Sequence, residues 1–283
     1  MSRISQKTGV AVVLALLVMN QLLRHIQTHT HHFLKLHLQF QGVVEQEVGG
    51  VLMLSHGDPS NVANIILPDM FDELYSWSLQ IEHLPDAQHW MLFDLPIIQS
   101  ETEESNEVAL IGDTIVEAWK VHQQGIRKVI AHGTAAVLAL EAVEQNSAYV
   151  QKMVLINPIL PGYFPDVERI LPTSREAVSQ RFSDYAGEGG LSVPSSILDS
   201  WVAHYQQPAY RVLLDALSAH TLKPLQHELP VQIIWSEPNP YGSELLRQQL
   251  QRQFPAAEWF ELQDCGFAPH YQCGDKLSEI LAN

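Results

Sequence analysis

The stretch from Ile126 to Val143 constrains the fold of this 283-residue chain more than any other. Arg127–Ala131 is a short apolar, β-branched run that predicts a buried strand. Ala135–Val143 is rich in alanine, leucine and glutamate, which predicts a helix. Between them, the triplet His132-Gly133-Thr134 has almost no side-chain bulk. The sequence therefore predicts a strand that turns sharply into a helix around Gly133.

The rest of the chain repeats this alternation. Short apolar strands, such as Val51–Leu54 and Val231–Trp235, alternate with segments that predict helices, such as Val108–Gln124 and Ile65–Glu82. In the second of these, Leu67-Pro68 is a candidate break. This alternation is typical of the α/β class, in which helices cover both faces of a mostly parallel sheet. At 46% hydrophobic residues, a chain of this length can bury one large core.

Residues 158–223 interrupt the alternation. This stretch contains several prolines and two amphipathic pieces, around Ser195–Tyr205 and Ala209–Ser218, and it predicts a helical cap. We therefore expect an α/β core in two parts, residues 33–157 and 224–283, with the cap between them and an N-terminal segment, residues 1–32, ahead of the core.

The N-terminal segment has a continuous apolar run from Gly9 to Met19, preceded by Arg3 and Lys7. A short apolar run after basic residues is typical of secretory signals, and no convincing cleavage site follows it. Residues 9–23 therefore predict membrane association, as a signal anchor or a signal peptide, and a membrane-anchored or exported protein of the cell envelope. The alternative is a buried N-terminal helix in a cytoplasmic protein. The histidines of residues 25–32 have no nearby Cys, Asp or Glu, and they predict a solvated linker.

The charge of the chain excludes one class of partner. The formal net charge is −16, and the first acidic residue is Glu45, so the charge beyond the N-terminal segment is more negative still. Nucleic-acid binding requires a basic surface, so we expect no nucleic-acid partner. No residue pattern predicts a metal site or a cofactor, and we expect neither.

Ala131-His132-Gly133-Thr134-Ala135 resembles the nucleophile elbow of the α/β-hydrolase superfamily, whose motif is G-x-S-x-G. The cap resembles those of the dehalogenase and C–C hydrolase branches. His56-Gly57, after an apolar strand, resembles the His-Gly pair whose following loop supplies one backbone N–H of the oxyanion hole in active members.

The resemblance implies a catalytic triad with all three members replaced. Gly133 stands in the place of the serine, Asn239 in the place of the acid after the strand ending at Trp235, and Phe267 in the place of the histidine. Glycine, asparagine and phenylalanine cannot act as nucleophile, acid and base. Loss of the serine or histidine of such a triad reduces turnover by roughly 10^6-fold.

We therefore interpret the chain as a catalytically degenerate hydrolase that binds a small apolar ligand or a protein partner. The expected pocket residues are His56, Gly57, His132, Gly133, Thr134 and Phe267. The alternative is an active esterase, dehalogenase or C–C hydrolase with a relocated triad, for which the candidates are Thr134, Glu237 and His270. A third alternative is a scaffold whose pocket is filled by cap side chains.

The two cysteines of the chain, Cys265 and Cys273, flank the loop that contains Phe267. In an exported protein they could form a disulfide that pins this loop, whereas in a reducing compartment free thiols are expected.

Overall fold

The structure is a computed structural model that describes residues 38–39, 42–48, 51–72, 74–94, 107–120, 125–186, 193–223, 225 and 228–283. The chain divides into two compact units, Met1–Gln41 and Gly42–Asn283, and every element named below belongs to the second. The apolar segment 9–23 and the histidine-rich stretch 25–32 lie outside the described residues. Among the residues that are described, no helix is long and apolar enough to cross a membrane.

An eight-stranded sheet forms the centre of the second unit, in the order β1-β2-β4-β3-β5-β6-β7-β8. β2 pairs antiparallel with both β1 and β4, and all the other neighbouring strands are parallel. The strands are β1 (Val44–Val48), β2 (Val51–Gly57), β3 (Ala63–Leu67), β4 (His89–Phe93), β5 (Ile126–His132), β6 (Val150–Ile156), β7 (Val231–Glu237) and β8 (Glu258–Gln263).

Nine α-helices connect or flank these strands in the described part of the chain. They are α1 (Ser78–Ile81), α2 (Glu107–Lys120), α3 (Ala135–Asn146), α4 (Val167–Ile170), α5 (Arg175–Ala186), α6 (Ser195–Tyr205), α7 (Pro208–Ala219), α8 (Glu244–Gln253) and α9 (Gly274–Ala282). Four of them, α4 to α7, lie between β6 and β7, within the stretch that the sequence assigns to the cap. The prediction of an α/β fold with a mostly parallel sheet is confirmed.

The core is fully buried where α3 packs against the sheet next to β5. Every residue of α3 from Ala135 to Val143 is buried, and every residue of β5 except Arg127 is buried. A strand buried on both faces needs apolar side chains, which Val129–Ala131 provide, and the buried Lys128 donates a hydrogen bond from Nζ to the carbonyl of Leu281. The small alanines of α3 allow the helix to approach the sheet closely, and this packing fixes the turn between β5 and α3.

One predicted element is wrong. Ile65–Glu82 was expected to be a helix, but its first residues belong to the strand β3, and helical structure begins only at Leu74. β3 lies between β4 and β5 with all five of its residues buried, so a β-branched run suits it better than a helix would. Pro68 follows the strand directly, and the loop from Pro68 to Asp72 reaches the turn at Gly133.

Candidate functional site

The turn between β5 and α3 has the geometry of a nucleophile elbow without a nucleophile. Gly133 has a φ of +57°, a left-handed conformation that favours glycine. A Cβ atom on Gly133 would lie 1.9 Å from Asp69 Oδ2 and 3.0 Å from the Cζ atom of Phe267. The space that a nucleophilic side chain would occupy is therefore filled by a carboxylate and an aromatic ring.

Asp69 lies in the loop after β3 and is buried, with 3% of its surface exposed. Its Oδ2 atom accepts hydrogen bonds from the backbone N–H of Thr134 at 2.9 Å and from the Thr134 hydroxyl at 3.2 Å. Its Oδ1 atom accepts one from the backbone N–H of Phe71 at 3.0 Å. The N–H of Met70 donates to Thr134 Oγ1 at 3.3 Å. The residue after the elbow and the loop after β3, which supply the oxyanion-hole donors in active hydrolases, thus bond to the protein's own atoms.

A buried guanidinium from the cap lies beside this carboxylate. The Nη2 atom of Arg181, on α5, is 3.8 Å from Asp69 Oδ1 and 3.9 Å from Asp72 Oδ1. Arg181 Nε donates to the hydroxyl of Tyr205 at 3.0 Å, and Nη2 donates to the hydroxyl of Tyr185. Arg181 is only 4% exposed, so it contributes a positive charge to a site from which water is largely excluded. The cap and the loop after β3 therefore meet in a buried, charged cluster.

Phe267 fills the position at which the resemblance places a histidine. Its ring lies 4.4 Å from the ring of Tyr241 and 5.3 Å from that of Tyr185, centroid to centroid. Its carbonyl oxygen accepts hydrogen bonds from Nε2–H of His132 at 3.0 Å and from Nδ2–H of Asn157 at 2.7 Å. The loop thus packs an aromatic side chain, with no acid–base function, over the elbow.

Asn239, which the resemblance places at the acid position, holds the turn that follows β7. Its Oδ1 atom accepts hydrogen bonds from the backbone N–H groups of Tyr241 at 3.2 Å and Gly242 at 3.0 Å. Its Nδ2–H donates to Asn157 Oδ1 at 3.2 Å. These bonds occupy the amide, so Asn239 acts as a structural residue of the turn.

The structure does not bring the fallback residues together as a triad. The Thr134 hydroxyl bonds with Asp69 and Met70 rather than with a histidine. The Glu237 carboxylate accepts from Trp235 Nε1 at 3.1 Å and from Arg247 at 3.4 Å. These contacts give Thr134 and Glu237 separate structural partners.

His270 is 1% exposed and stacks on Trp77, with the ring centroids 4.3 Å apart. The ring of His132 lies 5.4 Å away in an edge arrangement. Burial, followed by the neighbouring His132, holds the pKa of His270 well below its usual range, and burial also lowers the pKa of His132. Both imidazoles are therefore neutral at pH 7.

Two of the expected pocket residues lie far from the elbow. β2 runs opposite to β4, so Gly57 pairs with His89 at the first residue of β4, whereas Gly133 follows the last residue of β5. The length of a seven-residue strand separates the two ends of the sheet by about 20 Å. His56 lies there beside Asp86, with 3.0 Å between Nε2 and Oδ1. The placement of His56 and Gly57 in this pocket is therefore corrected: the loop from Pro68 to Asp72 takes that position.

Sequence reasoning missed Asp69 and Arg181 in this site. Asp69 could have been found from its position directly after the Ile-Ile-Leu run and Pro68, at the end of a strand. The assignment of Ile65–Glu82 to a helix hid this strand end. No local pattern marks Arg181, because its partners come from distant parts of the chain.

The structure joins Cys265 and Cys273 by a disulfide across the loop that contains Phe267. Within this loop, the backbone N–H of Phe267 donates to the carbonyl of Asp184 at 2.9 Å, which links the loop to α5 of the cap. The loop is therefore fixed both covalently and by the cap.

A cavity among the described residues lies away from the elbow. It has a volume of about 1270 Å³, between the connection from α7 to β7 and the end of α8. Its apolar wall includes Tyr163, Leu222, Leu229, Phe254 and Ala257, and its polar groups include His220 and Arg252. Neither Gly133 nor Asp69 lines it.

No protein-family model matches the chain, and no curated protein matches it. Solved structures do. A bacterial membrane phospholipase A, described as a novel virulence factor, is 13% identical with a TM-score of 0.75, and the match covers 98% of this chain and 96% of that one. The Rhodococcus 2-hydroxy-6-oxo-6-phenylhexa-2,4-dienoate hydrolase is 16% identical with a TM-score of 0.66, covering 84% and 97%. A meta-cleavage product hydrolase from Pseudomonas fluorescens is 15% identical with a TM-score of 0.65, covering 84% and 96%.

Similarity at these identities shows the fold. The chain has the α/β-hydrolase fold, as its elbow motif indicated, and the structures it resembles are those of hydrolases.

Proposed function

We propose that this chain is an α/β-hydrolase-fold protein that does not hydrolyse, and that it acts at a membrane by binding a protein partner. The observation that carries the proposal is the position of Asp69, whose carboxylate lies where the nucleophile's side chain would be. A substrate carbonyl at this turn would meet the Asp69 carboxylate, which already accepts the hydrogen bond of the Thr134 N–H.

The chemistry of the site supports the absence of turnover. Acyl transfer requires a nucleophile, a base within hydrogen-bond reach of it, and donors for the developing oxyanion. Gly133 offers no nucleophile, Phe267 offers no base, and the N–H of Thr134 donates to Asp69. Each requirement fails at the residue that would meet it in an active relative.

The rival is an active hydrolase with a relocated triad, and the catalytic descriptions of the similar structures favour it. A relocated triad needs a hydroxyl paired with a histidine. Thr134 is hydrogen-bonded to Asp69 and Met70, and His270 packs between Trp77 and His132. These contacts favour a structural role for both residues.

The filled elbow favours a protein partner over a ligand held beneath the cap. Tyr185 from the cap, Tyr241 and Phe267 pack into one buried cluster above Gly133. A ligand at the elbow would have to displace these rings. A second candidate, the binding of a small apolar ligand, is supported by the 1270 Å³ cavity beside α8, with its wall of leucine, tyrosine and phenylalanine.

Two observations support the membrane location. Residues 9–23 are apolar and follow basic residues. The phospholipase that covers 98% of this chain is described as a membrane protein. The disulfide agrees with a location outside the reducing cytoplasm, because disulfides persist mainly in oxidising compartments.

The test is ester turnover by the full chain in mild detergent, with p-nitrophenyl acetate, butyrate and octanoate. We expect rates equal to those of the heat-unfolded protein. Turnover that Thr134→Ala or His270→Ala abolishes, and that the exposed-site control Ser200→Ala retains, would establish the rival instead.

A further inference from the structure

We propose that the elbow is a carboxylate receptor, in which Asp69 is a ligand supplied by the chain itself and whose place a small monocarboxylate takes when that side chain is removed by substitution. This inference rests on the proposed function, since it treats the site as a place of binding rather than of turnover.

The donors around Asp69 match both oxygens of a resting carboxylate. Oδ2 receives the Thr134 N–H and the Thr134 hydroxyl, and Oδ1 receives the Phe71 N–H. The Thr134 hydroxyl is oriented for this role, because its oxygen accepts from Met70 N–H and its proton is left to donate to Asp69. An oxyanion hole directs two N–H groups at one oxygen, whereas this arrangement serves two oxygens of a stable anion.

The charge of the site favours an anion over a neutral ligand. Arg181 Nη2 lies 3.8 Å from Asp69 Oδ1, and both side chains are buried. The faces of Tyr185 and Tyr205 lie 4.6 Å and 5.1 Å from the guanidinium carbon, which holds the cation in place. Asp72 balances part of this charge, with 3.9 Å between its Oδ1 and Nη2. An empty receptor would leave Arg181 with fewer compensating groups, so binding of an anion restores the balance.

The shape of the site sets the size of the ligand. Replacement of Asp69 by glycine removes one methylene and one carboxylate group, and acetate supplies the same two groups. The Cζ atom of Phe267 and the Oδ2 atom of Asp69 lie 3.0 Å and 1.9 Å from the same point, the ideal Cβ position of Gly133, so the ring packs beside the carboxylate. Formate and acetate therefore fit the vacated volume, whereas propionate and butyrate are larger than the group that was removed.

The experiment measures the melting temperature of full-chain Asp69→Gly against formate, acetate, propionate and butyrate, with sodium chloride at matched ionic strength. We expect 100 mM acetate to raise the midpoint by roughly 3–6 °C relative to chloride, as a ligand with a millimolar Kd does. Formate should act similarly and butyrate should have no effect. The wild type and Asp69→Asn, whose sites stay filled, should not respond. Neither should Asp86→Gly, which loses an exposed aspartate.

A second variant covers the case in which Asp69→Gly fails to fold. Asp69→Ala retains the Cβ atom, so formate alone matches the missing group, and the expected preference becomes formate over acetate. Equal midpoints in carboxylate and chloride for the folded variant would overturn the proposal, as would equal responses in Asp86→Gly. This failure is distinct from failure of the proposed function, because ester turnover by the wild type is measured on a different protein with a different assay.

Discussion

The Asp69 carboxylate accepts a hydrogen bond from the backbone N–H of Thr134, 2.9 Å away, at the turn where the α/β-hydrolase fold places its nucleophile. The same carboxylate oxygen lies 1.9 Å from the point at which a side chain on Gly133 would begin. The absence of serine at Gly133 and the presence of Asp69 are therefore one arrangement, because the carboxylate fits only when residue 133 has no side chain.

This arrangement predicts that restoring the serine destabilises the protein. Gly133→Ser combines a left-handed backbone with a clash against Asp69 and should lower the free energy of unfolding by about 3 kcal/mol or more. Gly162→Ser is the matched control, since Gly162 has a φ of +80° but no atom within 4 Å of its ideal Cβ, and it should cost about 1 kcal/mol. Urea denaturation of both variants measures the difference.

The double variant Gly133→Ser/Asp69→Gly tests the cause of that loss. If Asp69 is the obstacle, the double variant should be less destabilised than the sum of the two single variants, because the clash is absent from it. Additive losses would show that the two residues do not compete for one space.

The charged cluster beneath the cap predicts a large effect at Arg181. Arg181→Met keeps the apolar stem but leaves two buried carboxylates without their cation, so the unfolding free energy should fall by about 3–5 kcal/mol. Arg175→Met, on the same helix, breaks only the exposed pair with Asp199 and should lower the unfolding free energy far less than Arg181→Met does. Equal losses in the two variants would contradict a buried ion cluster.

The buried histidines predict a loss of stability in acid. The pKa of His270 in the folded protein is below its unfolded value of 6.5, so only the unfolded state takes up this proton as the pH falls below about 6.5. Folding stability should therefore decrease on acidification, by up to about 1.4 kcal/mol per pH unit for this residue. His270→Phe keeps the ring stacked on Trp77 and should show a shallower decrease between pH 6 and pH 5. Parallel curves for wild type and variant would contradict the assignment.

The disulfide predicts a moderate contribution to stability. Cys265 and Cys273 are separated by eight residues in sequence, and closing a loop of this length contributes about 2.5 kcal/mol in the chain-entropy model. Reduction should lower the urea midpoint of the wild type and leave that of Cys265→Ser/Cys273→Ser unchanged. Two free thiols in the unreduced protein would refute the bond.

The sequence was sufficient to predict the turn between β5 and α3, because that turn depends on residues that are neighbours in the chain. A β-branched run, a glycine at the turn and an alanine-rich helix lie within 18 consecutive residues, and each follows from the preferences of its own side chains. The assignment of Asn239 and Phe267 to the acid and base positions stays a prediction from the same frame, since each lies shortly after the end of an apolar strand.

The occupant of the site could not be predicted in the same way. Asp69 and Thr134 are separated by 65 residues, and their contact depends on β3 lying beside β5. A five-residue apolar run does not distinguish a buried strand from a helix by periodicity, and the wrong choice at β3 moved the loop away from the elbow. Arg181 reaches the same point from the cap, whose docking no local pattern encodes.

The most direct test of the central claim is the intact mass of the full chain after incubation with a fluorophosphonate that reacts with activated serine hydrolases. The account predicts an unchanged mass for the wild type under native conditions, because the elbow holds Asp69 and no nucleophile. A single stoichiometric adduct, located at Thr134 or at any residue beside the elbow and lost on heat unfolding, would contradict the claim that this protein does not hydrolyse.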